Sequence, residues 1–407
     1  MNKTFSLSTV EKIPTEDAVV FLEKPEGGWR WVLDKELAGV PPIQRLVFSM
    51  GRAGIKCVNL LCRGLDPVAR GMLEARLGQD PRCRAEVRVV EATAFRPPEA
   101  WQANGGGRRV LLARGDLVTT PATVRQFLQE RGRAATGSGL CLIGVHELIH
   151  YVGRFISGEP VFDAAPPDVP DVSGGYTDFV ESAPSFRQAE RRLLDHYRHH
   201  YTQLFDVYFN SHFSIPISSF LVRLPVTPNQ VTLMGLAIGA LAGWFFSRGD
   251  YTSGVLGGLL LAFTAIWDCC DGDVARLKFM ESDFGETLDT ACDNIINVFL
   301  FGGIAWGVAR NFGLGHALTP FLFLAIGGFS IFALIYFPGG GKGDFFKGTR
   351  VYDVILLLAS RNFIYVILVF ALAGHLEWFL WLAGFGSLAF ALFLWVAWSR
   401  IRCQAEA

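Results

Sequence analysis

Residues 267–294 read WDCCDGDVARLKFMESDFGETLDTACDN. Four of the six aspartates in this stretch are candidate site residues, Asp268, Asp271, Asp289 and Asp293, and they stand between two long apolar runs, residues 251–266 and 295–308. Carboxylates at the mouth or interior of a membrane helix are costly, and by default they mark a functional site. Their spacing sharpens the point. Asp268, Asp271, Gly272 and Ala275 recur at helical intervals, so one helix face carries two acids and two small residues. Gly285, Asp289 and Asp293 are four apart and form a second such face. The link from Arg276 to Phe284 is short and polar, so the two helices can run antiparallel. Four acids facing one another would repel, and some would take up protons. A divalent cation removes the conflict, and oxygen ligands suit Mg²⁺ or Mn²⁺. Small residues beside the acids let a backbone or a flat ligand come close. The blander reading is that these acids cap helices or pair with Arg276 and Lys278.

Written as a pattern, the stretch is Asp268-x2-Asp271-Gly272-x2-Ala275-Arg276-x8-Gly285-x3-Asp289-x3-Asp293. It resembles, position for position, the signature of the CDP-alcohol phosphotransferase (CDP-alcohol phosphatidyltransferase) family of integral membrane enzymes. The resemblance implies transfer of a substituted phosphate from a CDP-alcohol to an acceptor alcohol, with release of CMP. It implies two cations held by Asp268, Asp271, Asp289 and Asp293, with Asp293 also the base on the acceptor hydroxyl. Gly272, Ala275, Arg276 and Gly285 would surround the nucleotide. Thr227-Pro228-Asn229 opens the first apolar span, where the family also carries Thr-Pro-Asn, so Asn229 is a further nucleotide contact. Thr as a helix cap with Pro in the first turn accounts for the same residues structurally.

Six spans of about 20 apolar residues fit a bilayer crossing: 231–246, 252–267, 290–308, 318–337, 354–373 and 376–399. Short-loop basic residues Arg276, Lys278, Lys342, Lys347, Arg350, Arg400 and Arg402 fall on the motif side, and Arg248 and Arg310 on the other. The positive-inside rule then sets the motif at the cytosolic face of a bacterial or archaeal membrane. Arg361 lies inside the fifth span and is expected to face a cavity or an anion. With Lys342, Lys347 and Arg350 it could build the basic pocket that takes the acceptor's phosphate in this family. Pairing of Arg361 with a motif acid is the alternative. Bifunctional relatives often show Arg-Asp where this chain has Arg361-Asn362, which leaves the acceptor open.

The chain has 407 residues, a formal net charge of -1 and 51% hydrophobic residues. Its mean hydropathy of +0.31 exceeds that of a wholly soluble protein, and the excess lies in the second half. The balanced charge gives no bias toward nucleic acid or an anionic surface. Eight cysteines show no C-x-x-C pair or disulfide framework, so they read as small apolar fillers, Cys269, Cys270 and Cys292 included. The N-terminus lacks the apolar core of a signal peptide, which keeps the first half in the cytosol.

That first half alternates apolar strands (18–22, 57–62, 87–90, 110–113, 140–143) with amphipathic helices (42–53, 66–77, 121–130, 146–155). Such alternation specifies a layered α/β domain with a mainly parallel sheet. The segments LAGVPPIQRLVFSMGRAGIKCVNLLC and LLARGDLVTTPATVRQFL resemble the sugar-nucleotide nucleotidyltransferase fold, with Asp116 as the acid ending a strand. Active members open with a Gly-rich loop and a basic residue that hold a triphosphate, because close phosphate approach needs bare amides. Here the first strand runs into LEKPEGGWRW, and Gly27 and Gly28 do not rebuild that loop. The expectation is a degenerate Rossmann-like domain over 1–157, a linker and interfacial helices over 158–224, and an α-helical transmembrane domain over 225–407. This order resembles bifunctional inositol-phosphate cytidylyltransferase/CDP-inositol transferases, which leaves CDP-diacylglycerol or a CDP-polyol such as CDP-inositol as donor. The family also implies a homodimer. Two other readings stay open. One is a scaffold or nucleotide-sensing membrane protein. The other is a zinc protease through His146-Glu147-Leu148-Ile149-His150, an H-E-x-x-H pattern with no third ligand at a known spacing.

Overall fold

The apolar run DAVVFL is buried along its whole length, as a strand covered on both sheet faces must be. It is strand β1 (Asp17–Leu22) of a computed structural model that describes residues 16–98, 101, 108–129, 139–162, 175–198, 210–336, 346, 349, 351–352, 354–355 and 363–406. The chain divides into two compact units, residues 1–197 with 277–279, and residues 198–276 with 280–407. The expected connecting region 158–224 is therefore shared between them.

In the first unit β1 pairs in parallel with β2 (Cys57–Cys62) and with β4 (Arg109–Arg114), and β2 pairs in parallel with β3 (Glu86–Glu91). β5 (Leu117–Thr119) pairs instead with β7 (Thr177–Phe179) in a separate two-stranded antiparallel sheet. β6 (Leu140–Gly144) adds antiparallel to β4, giving the order β3-β2-β1-β4-β6. Every strand and helix expected here is present to within two residues. The sequence pattern carried no direction for the fifth strand, and that strand runs against the others.

Helices α1 (Arg30–Leu33), α2 (Pro42–Ala53), α3 (Pro67–Gln79), α4 (Pro121–Gln129), α5 (Val145–Ser157) and α6 (Ala183–Arg198) belong to this unit. Asp66 caps α3 by accepting from the Val68 and Ala69 amides, the usual way of satisfying orphan donors. Two apolar clusters fill the unit, one including Val20, Leu60, Leu111 and α2, the other including Val19, Leu61, Val110 and α5. Side chains alternate across a strand, so one sheet feeds both layers.

The tripeptide Leu277–Phe279 is packed into the first cluster. Phe279 is 2% exposed at φ 58° and lies edge-on to Phe48 at 5.5 Å. Arg45 donates to the Leu277 carbonyl at 2.9 Å, Arg82 to Lys278 at 3.1 Å and Arg52 to Phe279 at 2.7 Å. A helix end leaves such carbonyls without intrahelical partners, and cations there are favoured. Burial pushes the Arg45 guanidinium down to about 10.

The second unit is helical. It holds α7 (Ser211–Leu221), α8 (Pro228–Ser247), α9 (Tyr251–Lys278, up to Arg276), α10 (Asp283–Phe312), α11 (Leu314–Tyr336), α12 (Phe363–Ala373) and α13 (Leu376–Glu406). Five of these, α8, α9, α10, α11 and α13, are long and apolar enough to cross a membrane. α12 is a shorter apolar helix. With residues 354–355 it makes up the described part of the expected fifth span, and residues 356–362 lie outside the described residues. Thr227 caps α8 in a reciprocal capping box with Gln230, and Pro228 follows at the first turn. Glycines bring α8 and α10 into backbone contact. A Cβ on Gly303 would sit 2.2 Å from the Gly243 carbonyl oxygen, and one on Gly307 2.2 Å from that of Phe246. Small residues serve this purpose between membrane helices, where lipid gives no hydrophobic drive.

Candidate metal centre

Asp268 and Asp271 are one turn apart on α9, and Asp289 comes from α10. One carboxylate oxygen from each lies within 4.8 Å of the others. Like charges at that distance repel by roughly 3–4 kcal/mol per pair at an effective dielectric of about 20. Among the described residues this is the one His/Cys/Asp/Glu group of three close enough to share a cation. Three hard oxygen donors on two helices fit Mg²⁺ or Mn²⁺, which keep remaining positions for water and substrate oxygens.

The surroundings hold these acids in place. The Thr232 hydroxyl donates to Asp271 at 2.6 Å, and the Trp267 indole N–H donates to the Val231 carbonyl at 2.9 Å. Both bonds tie α8 to α9 beside the acids. The hollow is lined by Thr232, Gly235, Thr264, Trp267, the three acids, Cys292, Asp293 and Ile296. Asp293 thus shares the hollow but stands outside the group of three. Cys292, read from sequence as packing, also faces it.

The remaining expected residues are distributed as follows. Asn229 lies against Gly285, where an added Cβ would be 3.3 Å from the Asn229 side-chain oxygen. The Arg276 guanidinium lies along Gly272, 3.4 Å from where a Cβ would be. Its ion-pair partner is Asp273, at 2.9 Å, an acid the sequence reading did not single out. Ala275 follows on the same helix, half-buried. Lys342, Lys347, Arg350 and Arg361, the proposed acceptor-phosphate group, lie outside the described residues. Thr232 and Trp267 were also missed; a single Thr or Trp in an apolar span gives no periodic signal. His146 and His150 lie on α5 and, among the described residues, belong to no such metal-sized group.

The first unit has its own hollow, about 470 Å³, lined in part by Glu23, Lys24, Glu26, Arg114, Asp116, Glu159 and Glu181. It sits past the ends of β1 and β4, where the strand order reverses and α/β sheets place ligands. Arg114 forks onto Asp116 at 3.0 and 2.7 Å and reaches Glu181 at 2.7 Å. Burial pushes the Asp116 carboxyl above its ordinary range despite that fork.

The family model for CDP-alcohol phosphatidyltransferases matches residues 225–389. Over those residues the chain is similar to CDP-alcohol phosphatidyltransferases. A phosphatidylinositol phosphate synthase of Corynebacterium glutamicum is 37% identical over 106 residues, 26% of this chain and 47% of that protein. An archaetidylinositol phosphate synthase of Pyrococcus horikoshii is 36% identical over 91 residues, 22% of this chain and 47% of its own. A bifunctional IPC transferase and DIPP synthase of Aquifex aeolicus is 27% identical over 195 residues, 47% of this chain and 43% of its own. The chain thus spans less than half the length of each of these relatives.

Proposed function

We propose that this chain is a membrane-embedded CDP-alcohol phosphotransferase, and the convergence of Asp268, Asp271 and Asp289 within a matching family domain carries that reading. These three carboxylates would hold one or two Mg²⁺ or Mn²⁺ ions, whose positive charge would offset that of the pyrophosphate and the departing CMP. Asp293, one turn beyond Asp289 in the same hollow, accepts the proton of the acceptor hydroxyl. The freed oxygen attacks the phosphorus bearing the donor alcohol, and the bond from that phosphorus to the CMP oxygen breaks. Asn229, Gly272, Ala275, Arg276 and Gly285 surround the cytidine and its phosphates. The acids sit at the cytosolic face, six crossings complete the domain, and it pairs as a homodimer. Arg361, Lys342, Lys347 and Arg350 take the acceptor's phosphate.

The relatives' names favour a phosphatidyl donor with an inositol phosphate acceptor, and the bifunctional ones keep CDP-inositol in play. The first unit, with sheet order β3-β2-β1-β4-β6, is read as a degenerate nucleotidyltransferase-like domain, because LEKPEGGWRW at the end of β1 does not resemble a triphosphate loop. Its hollow carries more acids than bases, which disfavours a triphosphate. The test is CMP release by the purified chain given CDP-diacylglycerol or CDP-inositol, each with inositol phosphate, glycerol phosphate or inositol. Turnover requires a divalent cation and drops sharply in Asp293→Asn. Full activity in excess chelator would refute the proposal.

A further inference from the structure

Asp273 is a further aspartate of the stretch and faces away from Asp268 and Asp271 on its helix. At 100° per residue it stands about 200° around α9 from Asp271. It is 3% exposed. One carboxylate oxygen accepts from the Ser218 hydroxyl of α7 at 3.0 Å, and the other accepts from Arg276 at 2.9 Å. An ionised group buried to this degree is tolerated only when paired and hydrogen-bonded. Arg276 runs back along α9 from this anchor, with both terminal nitrogens over Gly272. Its Nε is buried and has no hydrogen-bond partner among the described residues. A buried guanidinium donor left open, beside a residue with no side chain, is the arrangement an oxygen-rich anion satisfies.

From these contacts we infer that Asp273 is a positioning residue. It fixes the Arg276 guanidinium over Gly272 so that its open Nε–H edge meets the phosphates of the cytidine nucleotide, and through Ser218 it locks α7 to the same turn. The inference rests on the transferase reading and deepens it. α7 contributes a buried serine face, Ser211, Ser214 and Ser218, and Ser214 offers its carbonyl to Cys270. The position of Arg276 is therefore set by two helices and not by its own rotamer alone. A neutral acceptor at 273 can still hold the guanidinium, whereas an apolar residue cannot.

The test uses the full chain in detergent, with CDP as the probe for the nucleotide and Mn²⁺ alone as the probe for the metal. Asp273→Ala is expected to weaken CDP binding about tenfold, the scale of one charge-assisted hydrogen bond, while Mn²⁺ affinity stays within about twofold. Asp273→Asn is expected to restore most of the CDP affinity, which a merely structural ion pair would not do. Should Asp273→Ala fail to fold, Ser218→Ala decides, since it removes one contact without stranding a charge. It is expected to weaken CDP binding about threefold. Unchanged CDP affinity in the folded variants overturns the inference, as does a parallel loss of Mn²⁺ binding. Asp268→Asn is the control: if it turns over donor like the parent, the transferase reading falls, whatever Asp273 does.

Discussion

The protein has two acid-lined hollows, and they treat their carboxylates in opposite ways. In the first unit Asp116 is answered within the chain, by the Arg114 fork that also reaches Glu181. In the membrane unit Asp271 receives a neutral hydroxyl from Thr232, and its nearest acids point into the same small space. Arg276, a cation on the same helix, pairs with Asp273, an acid turned off the shared face. A carboxylate matched by a guanidinium is neutralised and held rigid. Carboxylates that converge on one small space are the arrangement in which a bound cation relieves mutual repulsion. On the proposed reading, the acids at the switch point of the α/β sheet are held by an arginine, whereas the three on the apolar helices are held for a cation.

Exchanging single acids between the two fates breaks or sharpens this contrast. The largest effect is expected for Asp289→Asn, which takes one oxygen ligand from the trio. CMP release should fall on the order of 10²–10³-fold, the scale of removing one preorganised electrostatic contact in a transition state. Asp116→Asn should leave CMP release within about twofold. Equal losses in the two variants would show that both hollows take part in one reaction. A smaller effect is expected from Thr232→Val, which keeps shape and removes the hydroxyl that orients Asp271. Mn²⁺ affinity, read by titration calorimetry, should drop about 10–100-fold, as for other hydrogen bonds that orient metal ligands. An unchanged affinity would mean that Asp271 is held by packing alone.

Much of this contrast could be read from the chain itself. The α/β half was legible because its strands are apolar runs of five or six residues bounded by turn residues, as in DAVVFL and CVNLLC. The direction of β6 was not legible, since alternation and hydrophobicity are the same read either way. The trio was legible because helical spacing within an apolar context leaves few alternatives for Asp268, Asp271 and Asp289. Asp293 was harder to assign: a further turn along α10 puts it in the hollow but not among the convergent oxygens. Thr232 and Asp273 act through α8 and α7, and partners on other helices leave no trace in the spacing of α9. The place of Leu277–Phe279 in the first unit was invisible for a similar reason. It depends on Arg45, Arg52 and Arg82, which are more than 190 residues away in the chain.

The smallest expected effect concerns pH, and it tests whether Asp116 is neutralised as fully as its fork suggests. Burial raises its folded pKa above the ordinary carboxylate value of 3.8, against the pull of Arg114. The folded state then binds this proton more tightly than the unfolded state, so the slope of stability against pH is negative between the two values. Below 3.8 the group is protonated in both states and contributes nothing. As pH climbs through the raised folded value, the cost of a buried charge appears and stability falls. Asp116→Asn removes that titration. Its stability relative to the parent, followed by hydrogen exchange of the β4 amides, should therefore improve between pH 4 and pH 7. A flat difference would mean that Arg114 offsets the burial of Asp116 completely, making the contrast between the two hollows sharper still. A difference of opposite sign would mean that the fork outweighs burial, and that the charge on Asp116 is itself part of what holds the first unit together.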